Sequence, residues 1–162
     1  MSDRMKCLQI TEPGKAEVLD LPIPEPEPGE GLVKVLSVTT CPHWDLHIVG
    51  GEAMFPGGQL DYPYTPGQPG HEAFGEVIEV GEGVTSLTSG APVAAWRDSG
   101  PTRQGCYAQF VSLPTESLIK IPTHLSVESV TSLELAMCVQ VSFDQLLERN
   151  AVAGKRFAVS GL

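Results

Sequence analysis

The sequence has few basic residues, few aromatic residues and no long hydrophobic run. It carries 10 Lys and Arg against 20 Asp and Glu, a formal net charge of −10. Because a surface of that charge repels phosphate backbones, we expect no nucleic-acid partner. A membrane span needs about 18 consecutive apolar residues, and none occur, so no membrane association is expected. The polar first residues do not fit a signal peptide, which favours a cytoplasmic protein.

Cysteine is also scarce, and its spacing is irregular. The 4 cysteines lie far apart and form no C-x-x-C pair: Cys7, Cys41, Cys106 and Cys138. In a reducing compartment such residues are thiols or metal ligands rather than a disulfide framework. Hydrophobic residues make up 41% of the chain and charged residues 19%, which is typical of an ordered globular protein.

Glycine and proline are abundant, at 17 and 14, and both are spread along the chain. That distribution predicts a mainly β protein with short strands and tight turns. We expect a hairpin of strands 6–11 and 16–21, with its turn at Pro13-Gly14. In strand 74–80 the apolar members are Phe74, Ile78 and Val80. The further predicted strands are 32–38, 92–96, 107–113 and 117–121, and a long loop covers 48–68.

The last part of the chain has a helical pattern. Residues 127–149 contain no Gly or Pro, and apolar residues recur there at roughly helical spacing: Leu133, Met137, Val141 and Leu146 or Leu147. Ser126 is a candidate N-cap, and Asn150 and Gly154 are candidate stop signals. A fresh apolar run follows at 157–159.

The motif Gly70-His71-Glu72 is the strongest candidate for a functional site. Imidazole and carboxylate are both metal ligands and both proton carriers. The motif continues into an apolar strand in which glycines recur where bulk would interfere. The stretch resembles the zinc-site signature of the medium-chain dehydrogenase/reductase family, the zinc alcohol dehydrogenases. Every fixed place of that signature is filled, by Gly70, His71, Glu72, Gly75, Gly81 and Val84.

The resemblance implies a fold and its boundaries. Residues 1–125 would form a GroES-like β-barrel, the family's catalytic domain, and residues 126–154 the connecting helices. Residues 155–162 would be the first strand of a Rossmann domain that is otherwise missing. The family's NAD(P) site lies in that domain, so NAD(P) binding is expected only together with it.

The resemblance also implies one catalytic zinc. His71 maps directly onto a family ligand, and Glu72 is an additional or alternative one. Cys41 and Cys138 match the two cysteine ligands, although the loop after Cys41 has one extra residue and Cys138 lacks the usual Pro-Leu before it. Glu134 is the reserve for Cys138, and either cysteine could instead be a core thiol. The region of the family's four-cysteine lobe offers only Cys106, so no structural zinc is expected.

Three residues after Cys41 resemble the family's proton-handling groups. Asp45 matches the acid that orients the zinc histidine, and His47 matches the outer relay histidine. Trp44 or His43 occupies the place of the usual Ser or Thr, and only His43 could carry a proton at neutral pH. The two histidines could also be ordinary exposed loop residues. Loop aromatics could line a substrate cleft or simply pack the loop: Trp44, Phe55, Tyr62 and Tyr64, together with Met54.

Two functions remain open at this point. The first is the catalytic domain of a zinc- and NAD(P)-dependent alcohol or polyol dehydrogenase, inactive alone, which acts on a small alcohol or carbonyl compound and is a homo-oligomer at full length. The second is a stand-alone GroES-like module that binds metal or a partner without catalysis. An unpaired apolar strand at 157–159 would be an exposed edge, which favours the first.

Overall fold

The protein was analysed as a computed structural model that describes residues 3–97, 100–151 and 154–156. The two N-terminal strands form the predicted hairpin. Strand β1 (Arg4–Glu12) pairs antiparallel with β2 (Lys15–Pro22), and the turn contains Gly14 at φ 78°, a conformation that favours glycine. The predicted final strand at 155–162 falls almost entirely outside the described residues.

Five further strands form an antiparallel sheet with the order β6-β3-β4-β5-β7. They are β3 (Glu30–Thr39), β4 (Glu72–Val80), β5 (Pro92–Ala95), β6 (Phe110–Pro114) and β7 (Leu118–Lys120), with a 3-10 turn at Thr115–Ser117. The hairpin joins this sheet through the segment before β6, where the Leu8 amide donates to the Tyr107 carbonyl at 2.8 Å. The mainly β prediction is therefore confirmed.

The main core lies on one face of the sheet and is built from apolar residues of every sheet strand. Its most buried members are Val77, Val93 and Val111, each fully inaccessible to solvent. Sequence reasoning named Ile78, and not Val77, among the apolar members of this strand, but Val77 is the one in the core. Successive strand residues point to opposite faces, so Val77 enters the core while Ile78 shares the outer face with Phe74 and remains 38% exposed.

The glycines of the Gly70-His71-Glu72 stretch are needed for close backbone approach. A Cβ on Gly75 would lie 2.4 Å from the Lys34 carbonyl oxygen of the neighbouring strand. A Cβ on Gly81 would lie 1.9 Å from the Glu27 carbonyl oxygen. Neither backbone can move aside cheaply, which confirms that these are places where bulk would interfere.

Helix α1 (Pro42–Gly50) was not predicted. Two signals for it are present in the sequence, a proline at the first helical position and a glycine just past the end. Gly51 adopts φ 76° and its amide donates to the last carbonyls of the helix. The region that sequence reasoning treated as a ligand loop is therefore a helix of about two and a half turns that starts after Cys41.

The C-terminal helical region is divided in two. Helix α2 (Val127–Val130) and helix α3 (Leu133–Glu148) replace the single predicted helix. At the break, the Thr39 hydroxyl at the end of β3 donates to the Thr131 carbonyl at 3.0 Å. This bond fixes the start of α3 beside the sheet edge. Asn150, at φ 51°, follows the end of α3, where sequence reasoning expected a stop.

No residue of α3 is buried by the described part of the chain. The predicted apolar stripe is present, but Val141 is 55% exposed and Leu147 58% exposed. Phe143 and Leu135 are exposed to a similar degree. Among the described residues, no helix has the length and hydropathy needed to cross a bilayer.

Candidate metal centre

The last rung of the β3–β4 ladder brings the candidate ligands together. Thr39 pairs with Glu72 at this end of the two antiparallel strands. Cys41 lies just after the end of β3, and His71 lies just before the start of β4. Both residues therefore lie at the same edge of the sheet, although 30 positions of sequence numbering separate Cys41 from His71.

Three potential ligand atoms converge at this edge. The donor atoms of Cys41, His71 and Glu72 all lie within 4.8 Å of one another. His71 Nδ1 donates to the Pro69 carbonyl oxygen at 2.8 Å, so Nε2 carries the free lone pair. Nε2 lies 3.7 Å from Glu72 Oε1. Ligand atoms of a tetrahedral zinc site are roughly 3.5 Å apart, so this spacing fits one ion.

The environment of Glu72 also fits a cation. Its side chain is only 4% exposed, and Oε2 is buried without a hydrogen-bond partner in the described residues. Burial, followed by the negative charge of Glu134, raises the pKa of the Glu72 carboxyl. A buried carboxylate oxygen without a donor is costly, and a metal ion would remove that cost.

Cys41 is the residue from which helix α1 starts. It occupies the N-cap position in an extended conformation and makes no side-chain capping bond. The thiol is thus available to the cleft rather than used by the helix. The extra residue that separates Cys41 from Asp45 is accommodated because Pro42 begins a helical turn, and the Asp45 amide donates to the Cys41 carbonyl at 2.9 Å.

Helix α1 places His43 and His47 on one face. Positions four apart are neighbours on a helix surface, and the two rings are in edge-to-face contact at a centroid distance of 4.7 Å. His47 Nδ1 lies 3.9 Å from a carboxylate oxygen of Glu52, whose side chain is 78% exposed. His43 lines the cleft that contains Cys41 and His71. His43 is itself exposed to solvent, and the His47 Nδ1 atom is buried without a hydrogen-bond partner in the described residues.

Asp45 has a different partner from the one expected. The orienting bond to His71 comes from the Pro69 carbonyl, whereas Asp45 Oδ2 accepts a hydrogen bond from the Tyr107 hydroxyl. Asp45 Oδ1 is buried and has no partner in the described residues. Burial raises the pKa of Asp45 even against the Tyr107 bond. Burial, then the bond to Asp45, raises the pKa of Tyr107 far above its usual range, so the hydroxyl remains a donor.

Tyr107 was not identified from the sequence. It belongs to the predicted strand 107–113, where a tyrosine is an ordinary strand residue. No spacing rule connects it with Asp45, which is 62 positions away in the chain. Only the three-dimensional pairing of β1 with the segment before β6 brings its side chain to helix α1.

Helix α3 contributes Glu134, rather than Cys138, to the wall of the cleft. Glu134 lines both the cleft that contains Cys41 and His71 and a neighbouring cleft, and Cys138 lines that neighbouring cleft with Met137 and Val141. The Cys138 thiol donates to Glu134 Oε1 at 3.3 Å. This bond raises the pKa of Cys138. Glu134, the reserve ligand, thus lies at the wall of the cleft but outside the set of three donors that lie within 4.8 Å of one another.

The cleft itself has a volume of about 270 Å³. Besides Cys41, His71, His43 and Glu134, it is lined by Trp44, Met54 and Arg97. Of the aromatics that were candidates for a substrate cleft, Trp44 is the one that lines it. Tyr62 and Tyr64 pack instead around Ile10 and Ile48, and Phe55 is 67% exposed.

The other two cysteines are packing residues in this structure. Cys106 belongs to the main core and is 2% exposed. Cys7 is 1% exposed, and burial raises its pKa to about 11. The loop around Cys106 is held by protein contacts, since the buried amide of Gln68 donates to the carbonyls of Gly100 and Arg103, each at 3.1 Å.

The sequence matches a known family along most of this region. The family model described as "Alcohol dehydrogenase GroES-like domain" matches residues 27–123. An L-threonine 3-dehydrogenase of Pyrococcus furiosus is 29% identical, over 99% of this chain and 50% of that protein. An alcohol dehydrogenase of Geobacillus stearothermophilus is also 29% identical, over 98% of this chain and 51% of that protein. The chain thus spans about half the length of these curated relatives.

Solved structures share the fold. An alcohol dehydrogenase superfamily protein from Novosphingobium aromaticivorans superposes with a TM-score of 0.72 at 27% identity, covering 91% of this chain and 43% of that one. A putative zinc-binding dehydrogenase from Sinorhizobium meliloti 1021, solved bound to NADP, gives a TM-score of 0.70 at 25% identity. That match covers 88% of this chain and 45% of the other.

Proposed function

Because the chain belongs to the alcohol dehydrogenase GroES-like domain family, we propose that it forms the metal- and substrate-binding part of an alcohol or polyol dehydrogenase. The reaction would exchange a hydride between a small alcohol, or its carbonyl counterpart, and NAD(P). The observation that carries this proposal is the convergence of the Cys41, His71 and Glu72 donor atoms beside a cleft.

A single zinc ion fits the donor set. Thiolate, imidazole and carboxylate are its usual protein ligands, and the orphaned buried oxygen of Glu72 gives a cation a local role. Cys41 Sγ, His71 Nε2 and Glu72 would hold it, and Glu134 is better placed than Cys138 to complete the set. When bound, zinc supplies Lewis-acid polarisation of the substrate oxygen.

The side chains of helix α1 would move the proton. His43 lines the cleft, where it could take the hydroxyl proton as a general base. His47 lies against it and Glu52 lies beyond, at the surface. Because His43 is itself exposed, it would release the proton to solvent, with His47 as a neighbouring carrier; the Trp44 indole cannot carry a proton. Asp45 would act indirectly, by holding the first turn of the helix in place.

NAD(P) would bind outside this chain. The relatives are about twice as long, and a dinucleotide needs a glycine-rich turn and a ribose-binding acid, which these residues do not supply. We therefore propose that the chain binds zinc but does not turn over substrate alone. A homo-oligomer is proposed only for a full-length form. Calorimetry that gave micromolar NAD affinity for residues 1–162 would contradict this division.

Zinc retention is the direct test. His71→Ala should lose bound zinc, measured by elemental analysis after dialysis, while its circular dichroism matches wild type. His124→Ala is the matched control, because His124 is exposed and lies outside the cluster. Wild type should retain a single zinc ion per chain. Unchanged zinc in His71→Ala would refute the ligand assignment, and two ions per chain would refute the expected absence of a structural zinc.

A further inference from the structure

Tyr107 connects the two segments that carry the candidate ligands. One segment is the turn 67–71, which ends in His71, and the other is the first turn of α1, which starts at Cys41. Tyr107 belongs to neither segment and lies in the stretch that precedes β6, beside β1. Its backbone contacts the first segment and its hydroxyl contacts the second.

The backbone around Tyr107 is fastened to the His71 turn. The Tyr107 amide donates to the Gly67 carbonyl at 3.0 Å, and the Cys106 amide donates to the Gly70 carbonyl at 2.7 Å. The contact is close, because a Cβ on Gly70 would lie 2.9 Å from Tyr107 Cγ. The ring therefore packs directly on the turn, and Gly70 has no side chain that would push it away.

The hydroxyl of Tyr107 is fastened to helix α1. It donates to Asp45 Oδ2, and the Asp45 amide donates to the Cys41 carbonyl at 2.9 Å. Asp45 has no other side-chain partner in the described residues, since Oδ1 is buried and unpaired. A continuous set of hydrogen bonds thus runs from Cys41 through Asp45 and Tyr107 to the turn that bears His71.

We propose that Tyr107 is a positioning residue that holds Cys41 and His71 at metal-binding separation by bracing helix α1 against the His71 turn. This rests on the proposed function, in which those two residues hold zinc. Partners that hold metal ligands in place typically change metal affinity by 10–100-fold when removed. The hydroxyl is the essential atom, because a phenylalanine would keep the packing against Gly70 but lose the bond to Asp45.

A second tyrosine provides a matched control. The Tyr62 hydroxyl donates to the Ile48 carbonyl, at the far end of the same helix. Tyr62→Phe and Tyr107→Phe each remove one tyrosine hydroxyl bonded to α1. Only Tyr107→Phe removes it beside the metal cluster, so the pair separates a positioning effect from general loosening of the helix.

The experiment measures metal binding by the 162-residue chain. Zn²⁺ affinity is obtained by chelator competition, and bound Co²⁺ is observed by its visible and thiolate charge-transfer absorption. Tyr107→Phe should bind Zn²⁺ at least about tenfold more weakly and shift the Co²⁺ spectrum. Tyr62→Phe should remain within about twofold of wild type with an unchanged spectrum, well short of the tenfold loss. Equal affinity and spectra in the two variants would overturn the proposal.

A second pair of variants keeps the test decisive if Tyr107→Phe does not fold. Asp45→Asn retains an oxygen that can accept the Tyr107 hydroxyl, whereas Asp45→Ala does not. The alanine variant should lose Zn²⁺ affinity and the asparagine variant should recover most of it; equal affinities would again overturn the proposal. Failure of the proposed function gives a different result, in which wild type binds no zinc or His71→Ala retains it.

Discussion

The β region is tightly packed, whereas helix α3, within the part of the chain that the structure describes, is packed only at its start. Every sheet strand contributes buried residues to one core, and β3 and β4 approach so closely that Gly75 has no room for a Cβ. Helix α3 has no buried residue in the described chain, although 10 of its 16 residues are apolar. Its start is held at the sheet edge by the Thr39 bond to Thr131, and its later turns face solvent.

This difference divides the candidate metal site. Cys41, His71 and Glu72 belong to the β region or to its immediate edge, and their donor atoms already converge. Glu134 and Cys138 lie on α3, which packs against the sheet through Leu133 at its start and has no buried residue in the described chain. In the proposed site, the β region would fix the position of the ion, and α3 would supply the ligand that completes it.

The largest effect should follow from adding a methyl group to the β region. Gly75→Ala places a Cβ 2.4 Å from the Lys34 carbonyl oxygen and 2.5 Å from Val33 Cγ1. Such overpacking should lower the free energy of unfolding by about 3 kcal/mol, measured by urea denaturation. Gly50→Ala, which meets nothing within 4 Å, is the control. A Gly75→Ala variant as stable as the control would mean that the two strands can separate.

The next largest effect separates the two α3 ligands. Glu134→Gln should weaken Zn²⁺ binding about tenfold, an order typical of a weakened ligand contact, because Glu134 lines the cleft with Cys41 and His71. Cys138→Ser should leave Zn²⁺ affinity nearly unchanged. Chelator competition on both variants provides the measurement. The reverse order of affinities would show that α3 rotates when metal binds and that Cys138 is the ligand.

Glu72 should make the metal-free chain pH-dependent. Its pKa is raised above the ordinary 4.5, so the folded state binds more protons than the unfolded state between those two pKa values, and stability falls as pH rises through that window. Glu72→Gln removes this dependence. Relative to wild type, it should gain on the order of 1 kcal/mol at neutral pH and almost nothing near pH 4.

Urea denaturation of both proteins across this pH range checks the expectation for Glu72. With zinc bound, the stability difference should change sign, since Glu72→Gln should then be less stable than wild type. A stability difference that does not vary with pH would contradict the raised pKa.

The smallest effect should come from the apolar face of α3. Val141 is 55% exposed, so Val141→Ala should change the free energy of unfolding by less than about 0.5 kcal/mol. Val77→Ala, at a fully buried position of β4, should cost about 2 kcal/mol in the same assay. A large loss from Val141→Ala would indicate that a second copy or another segment covers α3 in solution.

The parts of the fold predicted from sequence are those with local signals. The hairpin has the turn residues Pro13-Gly14 between its two strands. The Gly70-His71-Glu72 motif marks the start of β4, and the glycines that follow it mark where neighbouring backbone approaches closely. Helix α1 was missed because its apolar pattern is weak, although Pro42 and Gly51 bracket it. Val77 was passed over for its neighbour Ile78, because two apolar neighbours in a strand cannot be told apart without knowledge of which face is covered.

The site followed the same rule. His71 and Glu72 were found as a contiguous motif, and Cys41 was found by its place after a strand. The Tyr107–Asp45 bond could not be found, since it depends on how β1 docks beside the segment that precedes β6. The choice between Glu134 and Cys138 also lay beyond the sequence, because both lie on one face of α3 and only the helix placement distinguishes them.

The pairing of Thr39 with Glu72 would link the dissociation rate of a bound ion to the opening of this strand end. That final rung of the ladder places Cys41 and His71 at the same edge of the sheet. Opening it by thermal fraying would separate thiol from imidazole long before the core is exposed. The dissociation rate of a bound ion would then report how often this strand end opens. In turn, the bound ion would stabilise the pairing of β3 with β4 at that end.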